Sequence, residues 1–202
     1  MKYPIQNLSN NQKIEVKKFN LNEEISYVDL SCINCNLSDY KKLYDNDRHG
    51  ILQKTVMCNN CGLVYSNPRM TENSLKYFYS SNLYREIYQK NDDFEHSFKI
   101  KIEEAKKNLE TKKPNFEKYY PGLFVDFISD LNINYNSVCE IGAGYGTNLL
   151  YFAKLGKKTF GLEPSIKLTK ITNNEINIKQ GFINDLKDNH DIIILKHVFE
   201  HL

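Results

Sequence analysis

Residues 138–163 read V-C-E-I-G-A-G-Y-G-T-N-L-L-Y-F-A-K-L-G-K-K-T-F-G-L-E, and this stretch decides the fold. Val138–Ile141 is a short apolar run with an acid, Glu140, near its end. Glycines then occupy alternate positions 142, 144 and 146. Glycine allows the positive φ and close backbone approach that a ligand lying across such a turn needs. The spacing predicts a helix over Thr147–Leu155, ended by Gly156, and a second strand over Thr159–Glu163.

Downstream the alternation continues, with a helix expected over residues 165–173, a strand at Ile176–Lys179 and a buried strand at Asp191–Lys196. Strands alternating with helices predict an α/β fold, a parallel sheet with helices on both faces. In such sheets ligands bind beyond the carboxyl ends of the strands. Glu163, closing the second strand, stands where a carboxylate accepts hydrogen bonds from both hydroxyls of a ribose. A dinucleotide fingerprint requires glycine at position 147, which is threonine, and Glu140 would repel a pyrophosphate. A cationic ligand suits that acid better.

Upstream, Thr71–Ser129 reads as helical. Thr71 is a plausible N-cap before a Leu75, Phe78, Tyr79 stripe. The charged run 94–113 ends before Pro114, and a third amphipathic helix is expected at Leu123–Leu131. Cys32 and Cys35 form one C-x2-C pair and Cys58 and Cys61 another, with residues 36–57 between them. That interval slightly exceeds the about 15–20 residues usual for ribbons. Four thiolates make one closed tetrahedral Zn²⁺ site, structural rather than catalytic because no coordination position stays open. A redox dithiol pair and accidental spacing are the competing readings. Gly62 fits a knuckle turn after Cys61. Residues 1–28 are polar, with at most a short strand-like alternation around Ile14, Val16 and Phe19.

The formal net charge is +2 and is spread along the chain, which disfavours a nucleic-acid partner. No stretch approaches the roughly 18 apolar residues of a membrane span, and no signal peptide is visible, so a cytoplasmic location without a membrane partner is expected.

The combination E-x-G-x-G-x-G, the strand end G-L-E-P-S and the segment D-I-I-I-L-K-H-V-F-E-H-L resembles the class I S-adenosylmethionine (SAM)-dependent methyltransferases. The resemblance implies a Rossmann-like domain. It places Glu140, Gly142, Gly144 and Gly146 against the methionine and ribose portions of the cofactor, Glu163 on the ribose hydroxyls and Phe182 near the adenine. Residues 58–69, C-x2-C-G-L-V-Y-S-N-P-R, extend the likeness to a subgroup with an N-terminal zinc module, typified by sugar C-methyltransferases of nucleotide-sugar pathways. In that subgroup the segment holding Tyr77, Phe78, Tyr79 and Tyr84 tends to lie near substrate, although aromatics at helical spacing are more often core.

The resulting organisation is an N-terminal segment with the zinc module over residues 1–70, a helical segment over 71–131 and a Rossmann-like half-domain over 132–202. The family's complete domain has seven strands and this sequence shows four, so a C-terminally incomplete domain that does not turn over by itself is expected. Methyl transfer to a small-molecule acceptor, with nucleotide-linked sugars as the preferred class, is the expected activity. A zinc-ribbon binding module beside an inactive partial domain is the alternative. His201, just after the last strand, is the candidate catalytic base because histidine as a residue type titrates near neutral pH, with Glu200 beside it. His201 reads equally as a cap or packing residue, and His197 is the weaker candidate.

Overall fold

The structure is a computed structural model. It describes residues 1–81, 83–88, 96, 99–100, 103–104, 107, 123–171 and 176–201. The chain divides into two compact units, Met1–Asp92 and Asp93–Leu202, so α2 and α3, defined below, belong with the N-terminal unit. Most of the charged run 94–113 lies outside the described residues.

The N-terminal unit begins with helix α1 (Asn10–Asn20) where only a strand-like alternation is visible in the sequence. The helix is specified by a capping box. Ser9 Oγ accepts from the Gln12 N–H, and Gln12 Oε1 accepts from the Ser9 N–H. Gln12, Val16 and Phe19 are its buried positions, a three-to-four-residue spacing that a period-two reading misses. A two-stranded antiparallel ribbon joins β1 (Tyr27–Val28) to β5 (Arg69–Met70). Between them, β2 (Tyr40–Tyr44), β3 (Thr55–Cys58) and β4 (Val64–Ser66) form an antiparallel sheet in that order.

Helix α2 (Glu72–Ser80) starts at Thr71, whose hydroxyl accepts from the Ser74 N–H, and α3 (Leu83–Tyr88) follows. Val16, Phe19, Ile51, Met70, Phe78 and Ile87 make the core, with Leu75, Tyr79, Tyr84 and Tyr88 packed around it. Phe78 and Tyr79 therefore act here as packing residues, while Tyr77 is exposed.

In the C-terminal unit, α4 (Leu123–Asp130) precedes β6 (Ser137–Ile141), α5 (Thr147–Lys154), β7 (Lys158–Glu163), α6 (Ile166–Ile171), β8 (Ile178–Gln180) and β9 (Ile192–Leu195). All strand pairs are parallel, in the order β8-β7-β6-β9. The chain thus winds outward from β6 in one direction and then crosses back to β9 on its other side. The topological switch falls between β6 and β9, directly beside the glycine turn.

Val138, Leu149, Leu150, Phe152, Leu168 and Ile194 belong to one apolar cluster, and Cys139, Ile141 and Leu162 to another. The fifth cysteine, Cys139, is a core residue whose thiol burial pushes up to about 11. β9 departs from the buried strand expected, since Ile194 is buried but Ile193 is 46% exposed. Its start is held by Asp191, which accepts from the Asn136 and Ser137 N–H groups.

Candidate functional site

The turn after β6 is built from backbone that side chains resist. Gly142, Gly144 and Gly146 have φ of +67°, +57° and +70°. Their surroundings differ. A Cβ on Gly142 would lie 2.5 Å from Val198 Cγ2, and one on Gly146 would lie 2.2 and 2.6 Å from the Cδ1 atoms of Ile176 and Ile178. A Cβ on Gly144 would meet nothing within 4 Å among the described residues. Gly142 and Gly146 are thus packing glycines, whereas Gly144 faces open space of the kind a ligand fills.

Glu163, at the end of β7, reaches back to this turn. Its Oε2 accepts from the Gly144 N–H at 2.8 Å and its Oε1 from the Ser165 N–H at 3.0 Å. The carboxylate expected from the sequence to meet a ribose is seen here to fix the glycine turn.

Glu140 is 2% exposed. Its Oε1 accepts from Asn148 Nδ2 at 2.5 Å, and its Oε2 and the Asn148 Oδ1 are buried without a hydrogen-bond partner among the described residues. Burial raises its pKa to about 7, against the Asn148 hydrogen bond and the attraction of Lys196, while Glu163 adds repulsion. Lys196, half-buried after β9, is itself held below the usual lysine range by burial, with Glu140 opposing.

Phe182 is half-buried after β8, and its N–H donates to Asp185 Oδ2 at 2.8 Å. Past β9, His197 is exposed with φ +52°. His201 is exposed in the single turn Phe199–His201, where its N–H donates to the Val198 carbonyl. Glu200 lies in the same turn, and its side chain is outside the described set. Asn148, Lys196 and Val198 went unnoticed in the sequence. Asn148 carried a signal, since a strand-end acid and a residue in the first turn of the next helix flank the same glycine turn.

The four cysteines expected to bind zinc converge in the N-terminal unit, with every sulfur within 4.8 Å of the others. Cys32 and Cys61 sulfurs are 3.5 Å apart, as are those of Cys35 and Cys58. Tetrahedral zinc with bonds of about 2.3 Å sets sulfur–sulfur edges near ~3.8 Å, so the set fits one ion.

Two matching knuckles produce the arrangement. The Cys32 N–H donates to the Leu37 carbonyl and the Asn36 N–H to the Cys32 carbonyl. Likewise the Cys58 N–H donates to the Leu63 carbonyl and the Gly62 N–H to the Cys58 carbonyl. Asn36 at φ +59° occupies the place of Gly62 at φ +75°. Asparagine enters that region more readily than most side chains. Cys61, the exposed thiol, is pulled down to about 6 by the Asn34 side chain and then by the Leu63 backbone, which favours the ligating thiolate.

Residues 114–202 match a family model described as a methyltransferase domain. The C-terminal unit carries a methyltransferase domain. Among solved structures the chain is similar to one titled "Crystal Structure of the Glycopeptide N-methyltransferase MtfA", at 17% identity and a TM-score of 0.29. That similarity covers 35% of this chain and 39% of that one. No curated protein matches. The methyltransferase domain presents its glycine turn, Glu140 and Glu163 at the carboxyl ends of β6 and β7, beside the switch point. No helix among the described residues is long and apolar enough to cross a membrane.

Proposed function

We propose that this chain belongs to a SAM-dependent methyltransferase of the zinc-module subgroup, acting on a small-molecule acceptor, with nucleotide-linked sugars as the preferred class. The observation that carries the cofactor assignment is the pairing of a buried, incompletely hydrogen-bonded Glu140 with open space at Gly144, both beside a carboxylate at Glu163. SAM offers a cation for the first, an edge that tolerates close backbone for the second and a diol for the third. NAD would bring a pyrophosphate toward Glu140 instead.

When bound, SAM supplies a methyl group already activated by the sulfonium, so the protein's task is alignment and proton removal. Glu163 accepts the ribose hydroxyls while its bond to the Gly144 N–H keeps the turn in place. Phe182 covers the adenine. Glu140 holds the ammonium end. His201 takes the proton from an acceptor, with Glu200 as its neighbour in the turn. The cysteine set holds one structural Zn²⁺ in the N-terminal unit and takes no part in the chemistry.

Calorimetric titration with SAM and with NAD tests the reading on the wild-type chain and on Glu163→Ala. SAM binds and NAD does not, and the substitution weakens SAM about tenfold to a hundredfold, the equivalent of losing about 1.5–3 kcal/mol of hydrogen bonding to a charged group. Tighter binding of NAD than of SAM overturns the cofactor. Methyl transfer to nucleotide-sugars, followed by mass spectrometry of the acceptor, tests the substrate class.

A further inference from the structure

The polar inventory around Glu140 does not balance. Glu140 extends from the central strand β6, 2% exposed, and receives one hydrogen bond, from the neutral Asn148 amide of α5. Its other oxygen is buried without a donor among the described residues, and so is the Asn148 carbonyl oxygen. Among the described residues, neither of these two acceptors has a hydrogen-bond donor.

The groups facing the carboxylate from the packed elements are Asn148 on α5, Lys196 after β9 and Glu163 at the end of β7. The Lys196 charge attracts the carboxylate, and Glu163 repels it. Its neighbour on β6, Cys139, is a buried neutral thiol. An ionised carboxyl removed from water with one neutral hydrogen-bond partner is disfavoured, and the Lys196 charge offsets that cost only in part. One added proton supplies the missing donor. So does a ligand that arrives with an ammonium group, and the two exclude each other.

We propose that Glu140 makes cofactor binding proton-linked: the empty site holds Glu140 as the neutral acid, and the ammonium or sulfonium of the ligand displaces that proton to solvent. This rests on the assignment of SAM to the glycine turn. The step is an ionisation only. The Glu140 O–H bond breaks, its electron pair stays on the carboxylate facing the cationic ligand, and the proton passes to buffer. Binding consequently strengthens as pH rises toward neutrality, and acidification releases the cofactor. Burial had already raised the Glu140 pKa to about 7 on the same grounds.

Calorimetry of the whole chain with SAM, repeated in buffers of different ionisation enthalpy, counts the protons released. With an empty-site pKa of about 7, close to one proton leaves at pH 6 and about half a proton at pH 7, and affinity falls roughly fivefold between pH 7 and pH 6. 5′-Methylthioadenosine, which presents the same adenosine without ammonium or sulfonium, binds with no proton release from this group. Glu140→Gln keeps an uncharged donor in the pocket and abolishes the SAM-linked release. If the variant does not fold, the contrast between the two ligands on the wild-type chain still decides. SAM binding with no proton release, or equal release with methylthioadenosine, overturns the proton linkage while leaving the cofactor assignment standing. Absence of SAM binding from pH 6 to 8 overturns both.

Discussion

Gly144 and Gly146 sit two residues apart in one turn, share a left-handed backbone and should nevertheless fail in opposite ways when replaced by alanine. At Gly146 the added methyl would lie 2.2 Å from Ile176 Cδ1 and 2.6 Å from Ile178 Cδ1. Both isoleucines are buried in the cluster that includes Val138, Leu149 and Phe152, so neither can swing aside cheaply. Overpacking of this kind costs about 1–3 kcal/mol, and placing alanine at φ +70° adds about 1–2 kcal/mol. The total, about 2–5 kcal/mol, is a large share of a domain's stability. At Gly144 only the backbone cost of about 1–2 kcal/mol applies, because nothing among the described residues lies within 4 Å of its Cβ position. That methyl projects instead into the proposed ligand space, where a similar clash weakens SAM about fivefold to a hundredfold. Hydrogen exchange over β6 and α5, with calorimetric titration of SAM, separates the two effects. Equal destabilisation by both variants, or undiminished SAM binding by Gly144→Ala, would refute the division into a packing glycine and a ligand-facing one.

The cysteine cluster predicts one equivalent of zinc in protein prepared without chelator. Chelation should open residues 28–69 to proteolysis before the sheet unit, and less than half an equivalent with four freely titratable thiols counts against the site. In α1, Gln12→Ala removes the buried bond to the Ile87 carbonyl at 2.7 Å and half of the capping box, and should cost about 1–3 kcal/mol in urea unfolding of the N-terminal unit. His49 is buried and its pKa is lowered chiefly by desolvation, with Asp47 opposing. The folded unit therefore binds fewer protons than the unfolded chain below the ordinary histidine value, so stability is present above about pH 6.5 and declines as pH falls from there toward the lowered folded value. Melting temperatures of His49→Gln should flatten that slope, and an unchanged slope assigns the acid sensitivity elsewhere.

The sheet unit was legible because its signals are local. An acid, three alternate glycines and a second acid at a strand end sit within one βαβ unit, and each element appears within a few residues of its expected bounds. The N-terminal helix was not legible from hydrophobic pattern, because one of its three buried positions is the polar Gln12, held by a hydrogen bond to a carbonyl 75 residues away. Ser9 and Gln12 did carry the capping-box signature, which the period-two reading of Ile14, Val16 and Phe19 obscured. Asn36 was likewise readable in retrospect. It follows Cys35 as Gly62 follows Cys61, and only the hydrogen bonds of the two knuckles make the equivalence evident.

Residue type and spacing could place Glu140 and Glu163 in the same crevice but could not divide their labour, because that depends on what each oxygen meets in three dimensions. Glu163 accepts from two backbone N–H groups, those of Gly144 and Ser165. Glu140 meets one neutral amide and an orphan carbonyl oxygen in the pocket beside it, so its charge waits for a partner. The two acids stand at the ends of adjacent strands, and repulsion from Glu163 adds to the upward push that burial gives the Glu140 pKa. In this arrangement Glu163 shapes the turn through its backbone hydrogen bonds, and Glu140 is the acid that the proposed cation would complete. A glycine turn bounded by acids of such different satisfaction is ready for a ligand whose positive charge lies at one end and whose diol lies at the other. On the proposed cofactor assignment, the different hydrogen bonding of the two carboxyls, beyond the glycine spacing, is what suits SAM.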